Sequence, residues 1–140
     1  SKMSLLEEMA ADVLAEEVVR RLPEFFDKDL SLFLLACSRP GWAAERCGLA
    51  AIAQVQERDL SRFSVQDLCM IAQALAKIGP KAKAHLCVVA DEVFGRQTSG
   101  FTTADKAVVL WALAKAKVAH LGLTRLLVRS LAVEDCQALA

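Results

Sequence analysis

A chain of 140 residues and 15.2 kDa is the size of one compact unit, and with 55% hydrophobic and 24% charged residues it is too apolar to be disordered. Its 17 basic and 17 acidic residues cancel, which argues against strong non-specific binding to nucleic acid but leaves room for a local basic stripe. The five cysteines Cys37, Cys47, Cys69, Cys87 and Cys136 include no CxxC pair, so zinc-ligand spacing is absent and each reads as a small apolar residue of a reducing compartment.

In chain order, residues 4–22 read as an orphan helix with Leu14, Val18 and Val19 facing inward. It carries Glu7, Glu8, Asp12, Glu16 and Glu17, whereas transit peptides are Arg-rich and poor in acids. The expectation is therefore that a targeting segment has been removed or that the chain is a piece of a longer one. Leu30, Phe33, Leu34 and Cys37 follow helical spacing, and Leu49, Ile52 and Val55 form a second helical face. The next helix is predicted over Val65 to Ile78, with Leu68, Ile71, Ala72, Leu75 and Ile78 on its buried side. Ser64 with Asp67 forms its capping box, and Gly79-Pro80 stops it. A partner helix follows, with His85, Leu86, Val88, Val89 and Val93 on its apolar side. Thr102 with Asp105 caps another helix bearing Val108, Val109, Leu110 and Leu113, and Leu123, Leu126, Leu127 and Leu131 mark the last. Leu131 to Asp135 resembles Phe63 to Asp67, so a new helix could begin there. The uncharged runs 30–37 and 107–114 fall well short of the ~20 residues that span a bilayer, so no membrane partner is expected.

These elements repeat. Phe25, Phe63 and Phe101 stand 38 residues apart; Asp29, Asp67 and Asp105 share that register, as do Ala36, Ala74 and Ala112. Leu30 meets Leu68, Gly41 meets Gly79, and Leu75-Ala76-Lys77 meets Leu113-Ala114-Lys115. Over 17 ungapped positions the first two repeats share five identities and the last two share six, where chance gives about one or two. The fold expected is all-α, a right-handed α-solenoid of antiparallel helix pairs with a 38-residue repeat, the repeats being 25–62, 63–100 and 101–138 within one array over 1–140. A solenoid usually closes with a polar capping helix; none is evident, so one or both ends are expected to dock.

The strings from Phe63 to Gly79 and from Phe101 to Lys115, with Phe, then Asp four positions on, then Ala-Leu-Ala-Lys, resemble the octotricopeptide-type repeats of organellar proteins. Those repeats accompany RAP domains and are similar to the repeats of FAST-kinase-like mitochondrial proteins. The resemblance covers about residues 25 to 130; the first repeat carries Leu35 to Arg39 at the Ala-Leu-Ala-Lys position with a different sequence. It implies stacked helix pairs, RNA binding along the inner face, and roles in organellar RNA processing, translation or mitoribosome structure.

One stripe of each first helix faces away from the apolar seam: Lys28, Ser31, Leu35 and Arg39; Gln66, Cys69, Gln73 and Lys77; Ala104, Ala107, Trp111 and Lys115. Stacked side by side these form one surface, on which Arg39, Lys77 and Lys115 make a basic column for phosphates, Gln73 could hydrogen-bond a base edge and Trp111 could stack on one. The plainer readings are helix-dipole complementarity for the cations and core packing for Trp111. Arg20, Arg58 and Arg96 form a secondary basic column at the opposite edge, read as a second rRNA or protein surface or as dipole complementarity. Asp29, Asp67 and Asp105 are capping-box members rather than catalytic acids. His85 and His120 are the only histidines, and no GxxxxGK or GxGxxG loop occurs. We therefore expect no enzyme, no cofactor and no metal. The expected function is an RNA-contacting scaffold of an organelle, a structural subunit of a mitochondrial ribosome or RNA-processing assembly with rRNA or an organellar transcript and neighbouring proteins as partners, the plastid being the other location. The competing reading is a protein-only helical-repeat adaptor or accessory subunit of a mitochondrial complex.

Overall fold

The computed structural model describes residues 4–40 and 44–139, with residues 44 and 135–139 described by backbone alone. Gly41, the register partner of Gly79, and the side chain of Cys136 lie outside the described residues. The fold is all-α: among the described residues there are seven α-helices, α1 (Leu5–Arg21), α2 (Asp27–Cys37), α3 (Ala44–Gln56), α4 (Val65–Ile78), α5 (Lys83–Gly95), α6 (Thr103–Ala116) and α7 (Leu121–Leu139), and no strand. None of these helices is long and apolar enough to cross a membrane.

Local chemistry sets the helix starts. Ser64 accepts from the Asp67 amide at 3.1 Å, and Thr102 accepts from the Asp105 amide at 3.1 Å, each aspartate returning the bond to the cap backbone. These are the two capping boxes expected. Ser4 and Glu7 build a third at the start of α1. Asp29 makes none, because the residue at its cap position is Phe26, which has no hydroxyl. At the other end of α4, Gly79 takes a φ of 108° that a Cβ would disfavour. Its register partner Lys117 ends α6 in the left-handed region at φ 55°.

The broadest packing joins α4 to α2 on one side and to α6 on the other. These three helices, the register equivalents of one another, lie side by side, with α3, α5 and α7 packed against α2, α4 and α6 respectively and α1 against α3. Their shared core holds Leu30, Leu34, Phe63, Leu68, Ile71, Leu75, Leu86, Val93, Val109, Leu113, Leu123 and Leu127. Leu75 and Leu113 are 2% and 3% exposed, the equivalent burial expected of one repeat position.

Neighbouring helices explain where the sequence pattern misplaces a side chain. Ser31 and Cys69, read as outward-facing, are buried. The Cys69 thiol faces the Asp105 carbonyl of α6, and the Ser31 hydroxyl bonds back to the Asp27 carbonyl at 2.8 Å. At this position a small residue lets each helix approach the next. Ala107, their equivalent on α6, is exposed because no described helix follows α6 in that layer. The converse holds at Ala74 and Ala112, both fully buried, whereas Ala36 on α2 is exposed. Leu14 is not inward: it is 61% exposed, and α1 packs through Ala11, Ala15 and the half-buried Val18, with Leu22 buried just past its end. Val88 and Leu49 also point outward. Finally, α7 runs unbroken from Leu121 to Leu139, so no new helix starts near residue 131.

Candidate nucleic-acid interface

Of the five residues assigned to RNA from the sequence, Gln73 and Lys77 lie on α4, Trp111 and Lys115 on α6, and Arg39 just past the end of α2. Gln73 and Lys77 of α4 and Trp111 of α6 line one groove of about 380 Å³, floored by Ala107 and Val108. Lys77 also borders a second groove of about 500 Å³, lined by Arg39, Ser38, Leu49 and Lys81 among others. Lys77 is thus shared, and the two grooves form one path from Arg39 past Gln73 to Trp111. Beyond Trp111 the path reaches Lys115, whose Nζ lies 5.9 Å from the indole centroid, a separation at which cation and ring attract.

The exposure of each group suits contact. Arg39, Lys77 and Lys115 are exposed, Gln73 is half-buried, and Trp111 is 42% exposed. Among the described residues no carboxylate pairs with any of the three cations. The one acid bordering the path, Glu45, is paired with Lys81 at 2.7 Å, and that ammonium holds its carboxyl below the usual range. The path is therefore locally cationic although the chain is neutral. Lys81 was missed by the sequence reading: its register equivalents Ala43 and Ala119 are not basic, so the repeat gave no signal for it. In the first repeat the Gln73 and Trp111 position is Leu35, which packs partly against the core.

The second column separates into two kinds of residue. Arg58 donates to the Asp27 carboxylate at 2.9 Å and to the Leu22 carbonyl at 3.1 Å. Arg96 donates to the carbonyls of Leu60 at 3.0 Å and Phe63 at 2.7 Å. Each guanidinium thus ties the end of one helix to the turn before the helix it packs on, reaching back 36 residues in both cases. The Leu22 and Leu60 carbonyls already accept from the Phe25 and Phe63 amides at 3.0 and 3.1 Å, so the guanidinium takes a second acceptor position on each, and Arg is suited to this because its fork carries several donors. Arg20 is exposed and bonds Glu17 on its own helix at 2.6 Å; no residue of this sequence lies 36 positions before it.

A different arrangement closes the third repeat. The Leu30 and Leu68 position becomes Lys106, only 5% exposed, and the Arg58 and Arg96 position becomes Glu134. The two pair, Lys106 also donates to Ser130 at 2.7 Å, and Thr103 donates to Glu134 at 2.6 Å. His120 lies just before α7 and caps it: its Nδ1 accepts from the Leu123 amide at 3.0 Å while Nε2 meets Asp91 at 2.9 Å.

No family model, curated protein or solved structure matches this chain.

Proposed function

We propose that this chain is an RNA-contacting helical-repeat scaffold of an organelle, a structural subunit of a mitochondrial ribosome or RNA-processing assembly. In this reading the helix pairs are turns of a right-handed α-solenoid with a 38-residue repeat, and the array binds rather than catalyses. The observation that carries the reading is the grouping of Gln73, Lys77 and Trp111 in one groove, continued by Arg39 and Lys115. Unpaired bases are held by stacking on aromatic rings and by hydrogen bonds to their edges, with cations on the flanking phosphates. A partly exposed indole beside an amide and unpaired ammonium groups provides each of these. The organellar assignment rests on the resemblance of the Phe63 to Gly79 and Phe101 to Lys115 strings to octotricopeptide-type repeats.

A specific observation also favours the protein-only adaptor. The chain is neutral, and large apolar side chains stand exposed on α1 and α7, which suits protein partners better than a polyanion. The two readings separate on Trp111. Trp42→Phe leaves it as the only tryptophan. Titration with a uridine-rich single-stranded RNA should then quench its fluorescence, and Trp111→Ala should weaken binding by roughly 5- to 150-fold, the equivalent of ~1–3 kcal/mol for one stacked base. An unquenched indole at RNA concentrations that saturate the protein, or no binding at all, would leave the adaptor as the better account.

A further inference from the structure

A cleft of about 260 Å³ opens where α2, α3, α4 and α5 meet. Leu34, Val55, Ile71, Leu75 and Val89, all buried, form its apolar walls. It shares no lining residue with either groove of the RNA path. Gln56 and His85 add polar groups, and the Gln56 amide donates to His85 Nδ1 at 2.5 Å. An imidazole that accepts at Nδ1 carries its proton on Nε2, so the pair still offers that donor and the Gln56 carbonyl as acceptor. Arg58, the third polar residue of the lining, is already committed to Asp27 and to the Leu22 carbonyl. One register step of 38 residues further on, Gln56 and His85 become Phe94 and Leu123. The Phe94 ring packs against the core, so close to α7 that a Cβ on Gly122 would meet it at 3.1 Å, and Leu123 is fully buried. There the chain supplies an aromatic ring of its own; between α3 and α5 it supplies an amide and an imidazole beside an open cleft.

We propose that this cleft binds a small free aromatic molecule bearing a hydroxyl, a phenol of one ring, with the ring among the apolar walls and the hydroxyl on the Gln56 and His85 pair. Volume selects the size. Apolar cavities of ~150 Å³ take up benzene, so a space of about 260 Å³ holds one substituted ring. Water is the poorer occupant, because a buried water needs roughly two to four polar partners and the apolar walls offer none. The polar pair selects the head group, as a few placed donors and acceptors do in an otherwise apolar pocket. A hydroxyl both donates and accepts, which matches what Gln56 and His85 leave free. A carboxylate would call for a free cation, and the one guanidinium on the lining is engaged.

Methyl-resolved NMR of the purified chain, titrated with phenol and separately with benzene, tests this. Both probes should shift the methyl signals of Ile52, Val55, Ile71, Leu75 and Val89, and phenol should bind with a Kd on the order of 0.1–1 mM. Gln56→Met, similar in size but without the amide, should weaken phenol by roughly 2- to 10-fold, the equivalent of one neutral hydrogen bond, and leave benzene no weaker. Gln56→Phe with His85→Leu, the pair that the next repeat carries, should fill the cleft and bind neither probe, with circular dichroism establishing that each variant is folded. Absent methyl shifts, shifts confined to methyls outside the cleft, equal losses of phenol and benzene in Gln56→Met, or a folded double variant that binds both probes like wild type would each overturn the proposal.

Discussion

Leu75 and Leu113 each fill the same position of the repeat against a neighbouring helix, and both are almost wholly buried. Either one changed to Ala removes methyl groups from a packed core and leaves a cavity, at a cost of ~2–5 kcal/mol in urea unfolding. A cost under ~1 kcal/mol would mean that the position is not the packed site it is described as. Arginine residues in register give a sharper contrast, because one sequence column performs two tasks. Arg96→Ala strips charged donors from the carbonyls of Leu60 and Phe63 and should cost ~1.5–3 kcal/mol. Arg20→Ala removes only an exposed pair with Glu17 and should stay within ~0.5 kcal/mol. Equal effects of the two substitutions in the same unfolding assay would contradict this division. The column was visible in the sequence as spacing; its use was not, since a partner 36 residues away on a backbone carbonyl leaves no mark on side-chain pattern.

Helices α4 and α6 were the most legible elements because everything that defines them is local. A hydroxyl at the cap, an aspartate three residues later, an apolar stripe and a stop all fall within one window, and α4 spans the residues that this grammar predicts. Faces that depend on a neighbouring helix were less legible. Ser31 and Cys69 read as surface until α4 and α6 are set beside them, and Leu14 reads as core until Ala11 and Ala15 are seen to make the contact. The course of α7 was hidden for a related reason: the residue equivalent to Arg96 is Glu134, and its partner Lys106 replaces a core leucine. This pair makes the joint between α6 and α7 sensitive to acid. The bonds from Lys106, and then from Thr103, hold the Glu134 carboxyl below its usual range. A carboxyl lowered on folding stabilises the native state above its unfolded value, and that contribution is lost as pH falls through the ordinary carboxylate range to the lowered value. Wild type should therefore be more heat-stable than Glu134→Gln at neutral pH, with the gap closing in acid. Melting curves by circular dichroism from neutral to acid pH check this, and a gap that is constant or widens in acid would contradict the assignment.

On the scale of the whole molecule, α2, α4 and α6 begin 38 residues apart in the sequence and pack side by side. Arg39, Lys77 and Lys115 are remote in sequence, but neighbouring packed helices are ~8–10 Å apart, close enough for successive contacts to one nucleic-acid backbone. Composition concealed this, because a net charge counts an acid such as Glu45, which borders the path but is paired with Lys81, equally with the cations that have no such partner. The measurement that bears most directly on the proposed function is a salt titration of single-stranded RNA binding, comparing wild type with a variant carrying Arg39→Gln, Lys77→Gln and Lys115→Gln, with circular dichroism as the folding control. Phosphate contacts release counterions, so affinity should fall steeply with salt in wild type, and the variant should bind more weakly with a log–log slope shallower by roughly two to three units. Identical slopes in two equally folded proteins would contradict the RNA reading and favour the protein-only adaptor.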